Sequence, residues 1–327
     1  MCRDVRAAAG AGRVPPMTTS ASAKGSDLTS PGLACSTWAR QQGLDPIGTA
    51  GCYRGYLLVE WPLPWPRDFG EEPALAQVVQ AARNAGLRFQ ALVPAADDAR
   101  RVICYRWPGG CLATGFERAE LAVEPGTIAA AALAVLDEPP ARDATVDVLV
   151  CTHGRRDRCC GSLGTALFQA LSTDQRFCKE GVRLWRTSHT GGHRFAPTAV
   201  VLPEGTAWAF CDSLALARIV RREGPLDDLL ARYRGCAGMA SPAVQALERA
   251  VLGELGWPLF ALRRRGADLG DGMTELVVEG PDGDETAWEA TVRIGGRVRS
   301  PGCREPITLA TKTEPQLVVE GLHQRSR

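Results

Sequence analysis

The 327-residue sequence lacks the features by which several protein classes are recognised. Its 38 basic and 37 acidic residues leave a formal net charge of +1, whereas a broad nucleic-acid-binding surface needs concentrated positive charge. Its longest apolar stretch, Ile128 to Leu136, is too short to cross a bilayer. Its first thirty residues contain no continuous apolar segment of the kind found in secretory signals. We therefore expect a cytoplasmic protein that binds neither nucleic acid nor membrane.

Several catalytic motifs are also missing. No Cys-x-x-Cys pair occurs, which argues against a dithiol oxidoreductase, and no Gly-x-Gly-x-x-Gly or phosphate-binding loop indicates a nucleotide site. No motif singles out the two facing carboxylates that glycoside hydrolysis requires. Cys160-Gly-Ser162 resembles a papain-like nucleophile only faintly, because the histidines follow within about 30 residues instead of about 130–150.

The sequence is rich in cysteine and poor in histidine. The chain has twelve cysteines and four histidines. In a chain without a secretory signal, this usage indicates reduced thiols, a few of which serve a metal or redox site. We expect most of the others to be inert small hydrophobic residues, since free cysteine is readily buried.

The hydrophobic pattern predicts an α/β protein organised as a leader followed by three parts. Residues 1–32 lack a periodic apolar pattern and indicate a disordered leader, within which Met17 is a second candidate start. Residues 33–140 alternate strands and helices and form an N-terminal α/β unit. Residues 145–222 have the order β-α-β-β-β-α of a thioredoxin-like unit, and the first unit has a loosely similar order that suggests a degenerate duplication. Residues 223–327 are expected to hold helices and a β-hairpin.

Some individual elements are defined closely enough to be compared with the structure. We predict the strands Arg88 to Val93, Arg101 to Trp107, Val146 to Val150 and Val182 to Arg186; a helix opening at Ser162; hairpins pairing Thr198 to Leu202 with Thr206 to Phe210, and Met273 to Glu279 with Thr286 to Ile294; and helices over Leu226 to Tyr233 and Ser241 to Leu255.

Cysteines and histidines are concentrated between residues 151 and 193. Cys151 ends a predicted strand and Cys160 precedes a predicted helix, where a sulfur is held rigidly or favoured as thiolate. His189 and His193 lie four residues apart in a glycine-rich loop, a spacing that can turn two imidazoles toward one ion. We therefore predict a metal site formed by Cys151, Cys160, His189 and His193.

Neighbouring residues have simpler interpretations. We place His153 outside the coordination sphere as a hydrogen-bonding residue, and one of the adjacent Cys159 and Cys160 is expected to be structural. The basic residues beside the motif form either a rim that docks an acidic reductase or a solvated loop with local salt bridges; these are Arg155, Arg156, Arg158 and Arg194. By spacing alone, two thiolates and two imidazoles suit either a structural zinc ion or a [2Fe–2S] cluster.

A family resemblance favours the iron–sulfur alternative. The segments Cys151-Thr-His-Gly-Arg-Arg-Asp-Arg-Cys-Cys160, Trp185-x-x-Ser-His-x-Gly-Gly-His-Arg-Phe-Ala-Pro197 and Leu202-Pro-x-Gly205 resemble the sucrase/ferredoxin-like family, which includes thioredoxin-like ferredoxins. Weaker likenesses are Cys35-Ser, Leu57-Leu-Val-Glu60 and Pro242-Ala-x-Gln-Ala-x-Glu248.

The resemblance implies a [2Fe–2S] cluster on Cys151, Cys160, His189 and His193, as in the bis-histidine branch of the family. It implies a one-electron carrier or redox sensor with electron donor and acceptor proteins as partners. We expect no sucrase activity, because no motif singles out the two carboxylates that such hydrolysis needs. Two thiolates and two neutral imidazoles leave the oxidised cluster uncharged, so its potential should exceed that of all-cysteine ferredoxins. The related Rieske arrangement spans roughly −150 to +300 mV, against about −400 mV for plant-type clusters. Water-exposed histidine ligands can also couple the electron to a proton.

Overall fold

Nine strands of the computed structural model form one mixed sheet, and four further strands form a separate antiparallel sheet. The structure describes residues 35–95, 98–108, 112–141, 144–177, 181–303, 305–306 and 309–326, so the predicted leader and Met17 lie outside the described residues. The α/β class is confirmed. No helix in these described ranges is long and apolar enough to span a membrane.

The first part of the nine-stranded sheet follows the order β-α-β-β-β-α. Its elements are α1 (Cys35–Gln41), β1 (Gly55–Glu60), α2 (Ala76–Asn84), β2 (Leu87–Leu92), β3 (Arg100–Arg106), β4 (Glu117–Val123) and α3 (Ile128–Ala134). β1 pairs in parallel with β2 and antiparallel with β3, and β3 pairs antiparallel with β4.

The second part repeats this connectivity. Its elements are β5 (Val146–Cys151), α4 (Thr165–Ser172), β6 (Val182–Thr187), β7 (Ala199–Leu202), β8 (Thr206–Trp208) and α5 (Ser213–Arg221). β5 pairs in parallel with β6 and antiparallel with β7, and β7 pairs antiparallel with β8 across the predicted turn. Each part therefore has its first four strands in the spatial order second, first, third, fourth, which is the topological repeat expected of a duplication.

The two parts contact each other in two ways: two of their edge strands pair, and apolar side chains from both parts share one core. β2 and β6 pair antiparallel at Leu92 and Thr187, which joins both parts into one sheet. In β1, Leu57 packs under α2 and α3, whereas Leu58 faces the second part and packs in the same core as Leu149 and Trp185. A strand buried on both faces needs a continuous apolar run, and this explains the sequence of β1.

A fully buried carboxylate lies in the face-to-face core. Asp147 of β5 accepts hydrogen bonds from the Tyr105 hydroxyl at 2.6 Å and from the Trp185 indole at 2.7 Å. Arg183 donates to the same carboxylate at 2.7 and 2.8 Å. Because Tyr105 comes from β3, the carboxylate links the two parts through hydrogen bonds as well as apolar contacts.

The chain after α5 adds a ninth strand, a long helix and the second sheet. These elements are α6 (Asp227–Leu230), β9 (Tyr233–Cys236), α7 (Pro242–Leu255), β10 (Arg263–Gly270), β11 (Met273–Glu279), β12 (Glu285–Arg299) and β13 (Thr313–Ser326). The helix predicted over Ser241 to Leu255 and the hairpin of β11 and β12 are confirmed. The predicted helix over Leu226 to Tyr233 is wrong in its second half. There Tyr233 begins β9 and buries its hydroxyl against Glu248, at 2.8 Å.

Candidate metal centre

A strand end and a helix start bring the first two predicted ligands together. Cys151 is the last residue of β5, and Cys160 begins a π-helical turn, Cys160–Gly164, that continues into α4. The helical segment therefore starts earlier than Ser162, where the sequence placed it. The approach is close because Gly164 has no side chain: a Cβ there would lie 1.9 Å from the carbonyl oxygen of Cys151.

Cys151, Cys160 and His189 form one group of possible metal ligands. One ligand atom from each residue lies within 4.8 Å of the others, and both cysteines are buried. A hydrogen bond from Cys160 lowers the pKa of the Cys151 thiol well below its usual range, while the same contact raises the pKa of Cys160. A metal ion that binds both sulfurs needs both as thiolates, so its binding must displace any proton that the pair holds.

The first part of the sheet positions His189. Gln90 of β2 is buried, and its amide nitrogen donates to the His189 carbonyl oxygen at 3.2 Å. Its amide oxygen accepts hydrogen bonds from the hydroxyls of Thr187 and Ser188. Arg88 donates to the same His189 carbonyl at 2.8 Å. The histidine loop at the end of β6 is thus fixed by residues of the neighbouring β2.

His193 lies beside this group and is not part of it. Its Nδ1 is 3.2 Å from the Cys35 sulfur and 4.0 Å from Asp157 Oδ1. The other oxygen of Asp157 lies 3.1 Å from His189 Nδ1, although that contact lacks hydrogen-bond alignment. One carboxylate therefore approaches both imidazoles. Burial lowers the pKa of His193, which favours the neutral ring that a metal needs.

A buried arginine supports the glycine-rich loop that carries both histidines. Arg234 of β9 donates to the carbonyl oxygens of Thr49 at 2.6 Å and Gly191 at 3.2 Å. Gly192 has φ +69°, and a Cβ there would lie 2.7 Å from the Arg234 guanidinium. Glycine at 192 thus permits both the left-handed turn and the close packing that precede His193.

His153 lies outside the ligand group, as the sequence predicted. Its Nε2 is 2.9 Å from the carbonyl oxygen of Pro66, and its ring contacts Trp65 and Phe69. Burial lowers the pKa of His153, which favours the neutral ring in this packing and hydrogen-bonding role.

Sequence reasoning missed three neighbours of the site. Asp157 was assigned only a charge-balancing role in the arginine run, although it approaches both histidines. Cys35 entered only through the family resemblance, and its sulfur is 3.3 Å from that of Cys159. Cys303 completes a group with these two sulfurs. Its distance along the chain and the absence of a motif around it left no signal to detect.

A cavity of about 510 Å³ opens beside His189 and His153. Its basic lining residues are Arg67, Arg83, Arg88 and Arg156. Arg194 pairs with Glu314 at 2.8 Å, which is a local salt bridge of the kind that the second interpretation of the arginines expects. The basic surface beside His189 therefore comes mainly from the first part of the sheet.

Comparison with known proteins gives one match. The model of the sucrase/ferredoxin-like family matches residues 46–235, which run from the loop before β1 into β9 and contain all four predicted ligands. No curated protein and no solved structure matches the chain.

Proposed function

The chain belongs to the sucrase/ferredoxin-like family, and we propose that it carries single electrons on a [2Fe–2S] cluster held by Cys151, Cys160, His189 and His193. The observation that supports this proposal most is the convergence of Cys151, Cys160 and His189 within 4.8 Å. The proposal extends to a cytoplasmic carrier or redox sensor with protein partners as electron donor and acceptor.

The donor set fits such a cluster chemically. The hydrogen bond from Cys160 lowers the pKa of the Cys151 thiol, and thiolates are the usual ligands of iron–sulfur clusters. The Nδ1 atom of His189 is buried and makes no aligned hydrogen bond within the described residues. His193 provides a second neutral imidazole next to the same carboxylate. When bound, the cluster supplies a centre that accepts and releases one electron.

The residues around the ligands can couple that electron to a proton. Burial disfavours a charged His193 ring, whereas the Asp157 carboxylate favours it. A negative charge gained at the site on reduction adds to the effect of Asp157 and favours protonation of an imidazole. The reduction potential should therefore fall as pH rises.

We expect His189→Cys to keep a cluster with altered properties. A thiolate in place of a neutral imidazole adds one negative charge, so the potential should fall on the order of 100 mV and the visible absorption should shift to the red. Protein-film voltammetry measures the potential, and a visible spectrum of the oxidised protein measures the absorption.

His323→Cys is the matched control, since His323 lies exposed on β13 and should leave the cluster unchanged. An unaltered spectrum and potential in His189→Cys would place His189 off the cluster and contradict the ligand set.

A structural zinc ion is the second candidate for the same residues. Two cysteines and a histidine within one 4.8 Å group suit a single tetrahedral ion as well as a cluster. In that case the protein would be a binding module without redox chemistry, and purified protein would contain zinc and no iron.

The basic cavity supports docking of an acidic electron donor near His189. We expect Arg83→Glu to slow reduction by dithionite, an anion, about tenfold at low ionic strength, and to accelerate reduction by the methyl viologen radical cation. Iron content should stay the same, because Arg83 is an exposed residue of the cavity lining and is not one of the proposed ligands.

Arg297→Glu reverses a charge that is equally exposed, on β12 of the second sheet, and should change neither rate. Stopped-flow absorbance gives these rates. Equal rates for Arg83→Glu and the wild type with both reductants would exclude the cavity as the entry point for electrons.

A further inference from the structure

Three cysteine sulfurs outside the proposed cluster ligands meet at a second place. Cys35 begins α1, Cys159 precedes the π-helical turn, and Cys303 lies in the connection between β12 and β13. Their sulfurs all lie within 4.8 Å of one another, and those of Cys35 and Cys159 are 3.3 Å apart. Three segments that are remote along the chain therefore each place one thiol at the same point.

Cys35 and Cys159 differ from the cysteines that are buried in the apolar cores of the described chain. Cys104 and Cys236 lie in large apolar cores, where a cysteine packs as a small hydrophobic residue. Cys35 and Cys159 instead belong to a small cluster whose other members are Ala196 and Cys303. Little apolar surface is available there, so hydrophobic packing alone does not account for three converging sulfurs.

A backbone donor also points at one of these sulfurs. The backbone N–H of Arg158 donates to the Cys303 sulfur at 3.2 Å. Backbone donors of this kind commonly orient thiolate ligands and stabilise their charge. Cys303 is partly exposed, which gives an ion and water access from solvent.

We propose that Cys35, Cys159 and Cys303 form a second metal site, separate from the [2Fe–2S] site, that binds one Zn²⁺ ion. Zinc also binds at sites with three protein ligands, where water fills the fourth position, and three thiolates can supply those ligands. His193 Nδ1 lies 3.2 Å from the Cys35 sulfur, but the proposed function uses this ring on the iron centre. We therefore assign the fourth position to water.

Such an ion would connect the second sheet to the candidate metal centre. Cys303 follows β12, whereas Cys159 is the neighbour of the proposed ligand Cys160. Zinc would hold Cys303, in the connection between β12 and β13, close to α1 and to Cys159. Because the site exists only in the folded chain, zinc binding would stabilise the folded state.

The test compares metal contents of anaerobically purified, full-length variants. We expect wild-type protein to bind one zinc per chain in addition to its iron. Cys303→Ser and Cys35→Ser should each lose the zinc and keep the iron. Cys52→Ser, which removes an exposed thiol outside the group, should keep both metals. Titration with Co²⁺ gives an independent readout, because thiolate-to-cobalt charge-transfer bands should appear in wild type and Cys52→Ser and weaken in the two site variants.

Three results would overturn the second site. Loss of iron together with zinc in both Cys303→Ser and Cys35→Ser would assign these sulfurs to the iron centre. Equal zinc content in all four proteins would place the ion elsewhere. Peptide mapping without reductant could instead identify a Cys35–Cys159 disulfide in protein that contains no zinc. That result would show that the two thiols form a disulfide and not a metal site. Protein that lacks iron yet loses zinc selectively in the two site variants would contradict the proposed function and support the second site.

Discussion

Replacing Gly164 by alanine is expected to weaken metal binding at the candidate metal centre strongly. The new Cβ would lie 1.9 Å from the carbonyl oxygen of Cys151 and 3.0 Å from its carbonyl carbon. Both atoms belong to the main chain of a buried strand, so the helix must move away from Cys151. Since Cys160 begins that helical segment, the two sulfurs separate.

The expected effects of Gly164→Ala are large on both binding and stability. Displacement of supporting structure typically weakens metal binding about 10- to 100-fold. Overpacking against a main chain that cannot yield should lower the free energy of unfolding by about 3 kcal/mol. Metal analysis after dialysis against a weak chelator and denaturant unfolding measure the two effects.

Gly253→Ala is the matched control for this substitution. Gly253 lies inside α7, where an added Cβ would meet only the Leu230 side chain at an ordinary 3.6 Å. Alanine there should raise the free energy of unfolding by about 0.5–1 kcal/mol, because it is the better helix former. If Gly164→Ala behaved like Gly253→Ala, the close approach of helix and strand would not be needed for the site.

Asp147→Ala is expected to lower the free energy of unfolding by about 3–5 kcal/mol, the usual cost of breaking a buried charged network. The substitution leaves the Tyr105 hydroxyl and the Trp185 indole buried without their acceptor. Asp147 is wholly buried and accepts from residues of both parts of the large sheet, so their packing should loosen together. Urea unfolding of the metal-free protein measures this loss separately from any loss of metal.

Asp174→Ala provides the comparison for Asp147→Ala, since Asp174 pairs with Arg176 at the surface, where ion pairs contribute little. A similarly small effect for Asp147→Ala would show that the carboxylate does not hold the two parts together.

Local patterns predicted much of the large sheet because its strands are buried. Continuous apolar runs such as that of β1 and the turn at Pro203-Glu-Gly205 are readable without tertiary information. β10 was not predicted, because its arginine- and glycine-rich sequence has no apolar strand pattern. Arg264 is nevertheless fully buried, and it pairs with Glu248 of α7 at 2.9 Å. Only the folded chain provides that partner.

At the candidate site, sequence patterns could predict some of the ligands, whereas other contacts depend on the packing of distant segments. Cys151, Cys160 and His189 follow or precede regular elements, so sequence patterns could propose that they meet. The contact of His193 with Cys35, and the group formed with Cys303, depend on how distant segments pack. Gln90 contributes by a similar long-range contact, because β2 meets β6 only through the pairing of the two parts.

Iron and acid-labile sulfide analysis, combined with electron paramagnetic resonance of the dithionite-reduced protein, tests the central claim most directly. The proposed function predicts about two irons and two sulfides per chain in anaerobically purified protein. It also predicts a visible absorption that bleaches on reduction, with the signal of a one-electron-reduced cluster appearing at the same time. Zinc at the Cys151, Cys160 and His189 site, with no iron after attempted cluster reconstitution, would contradict the electron-carrier function.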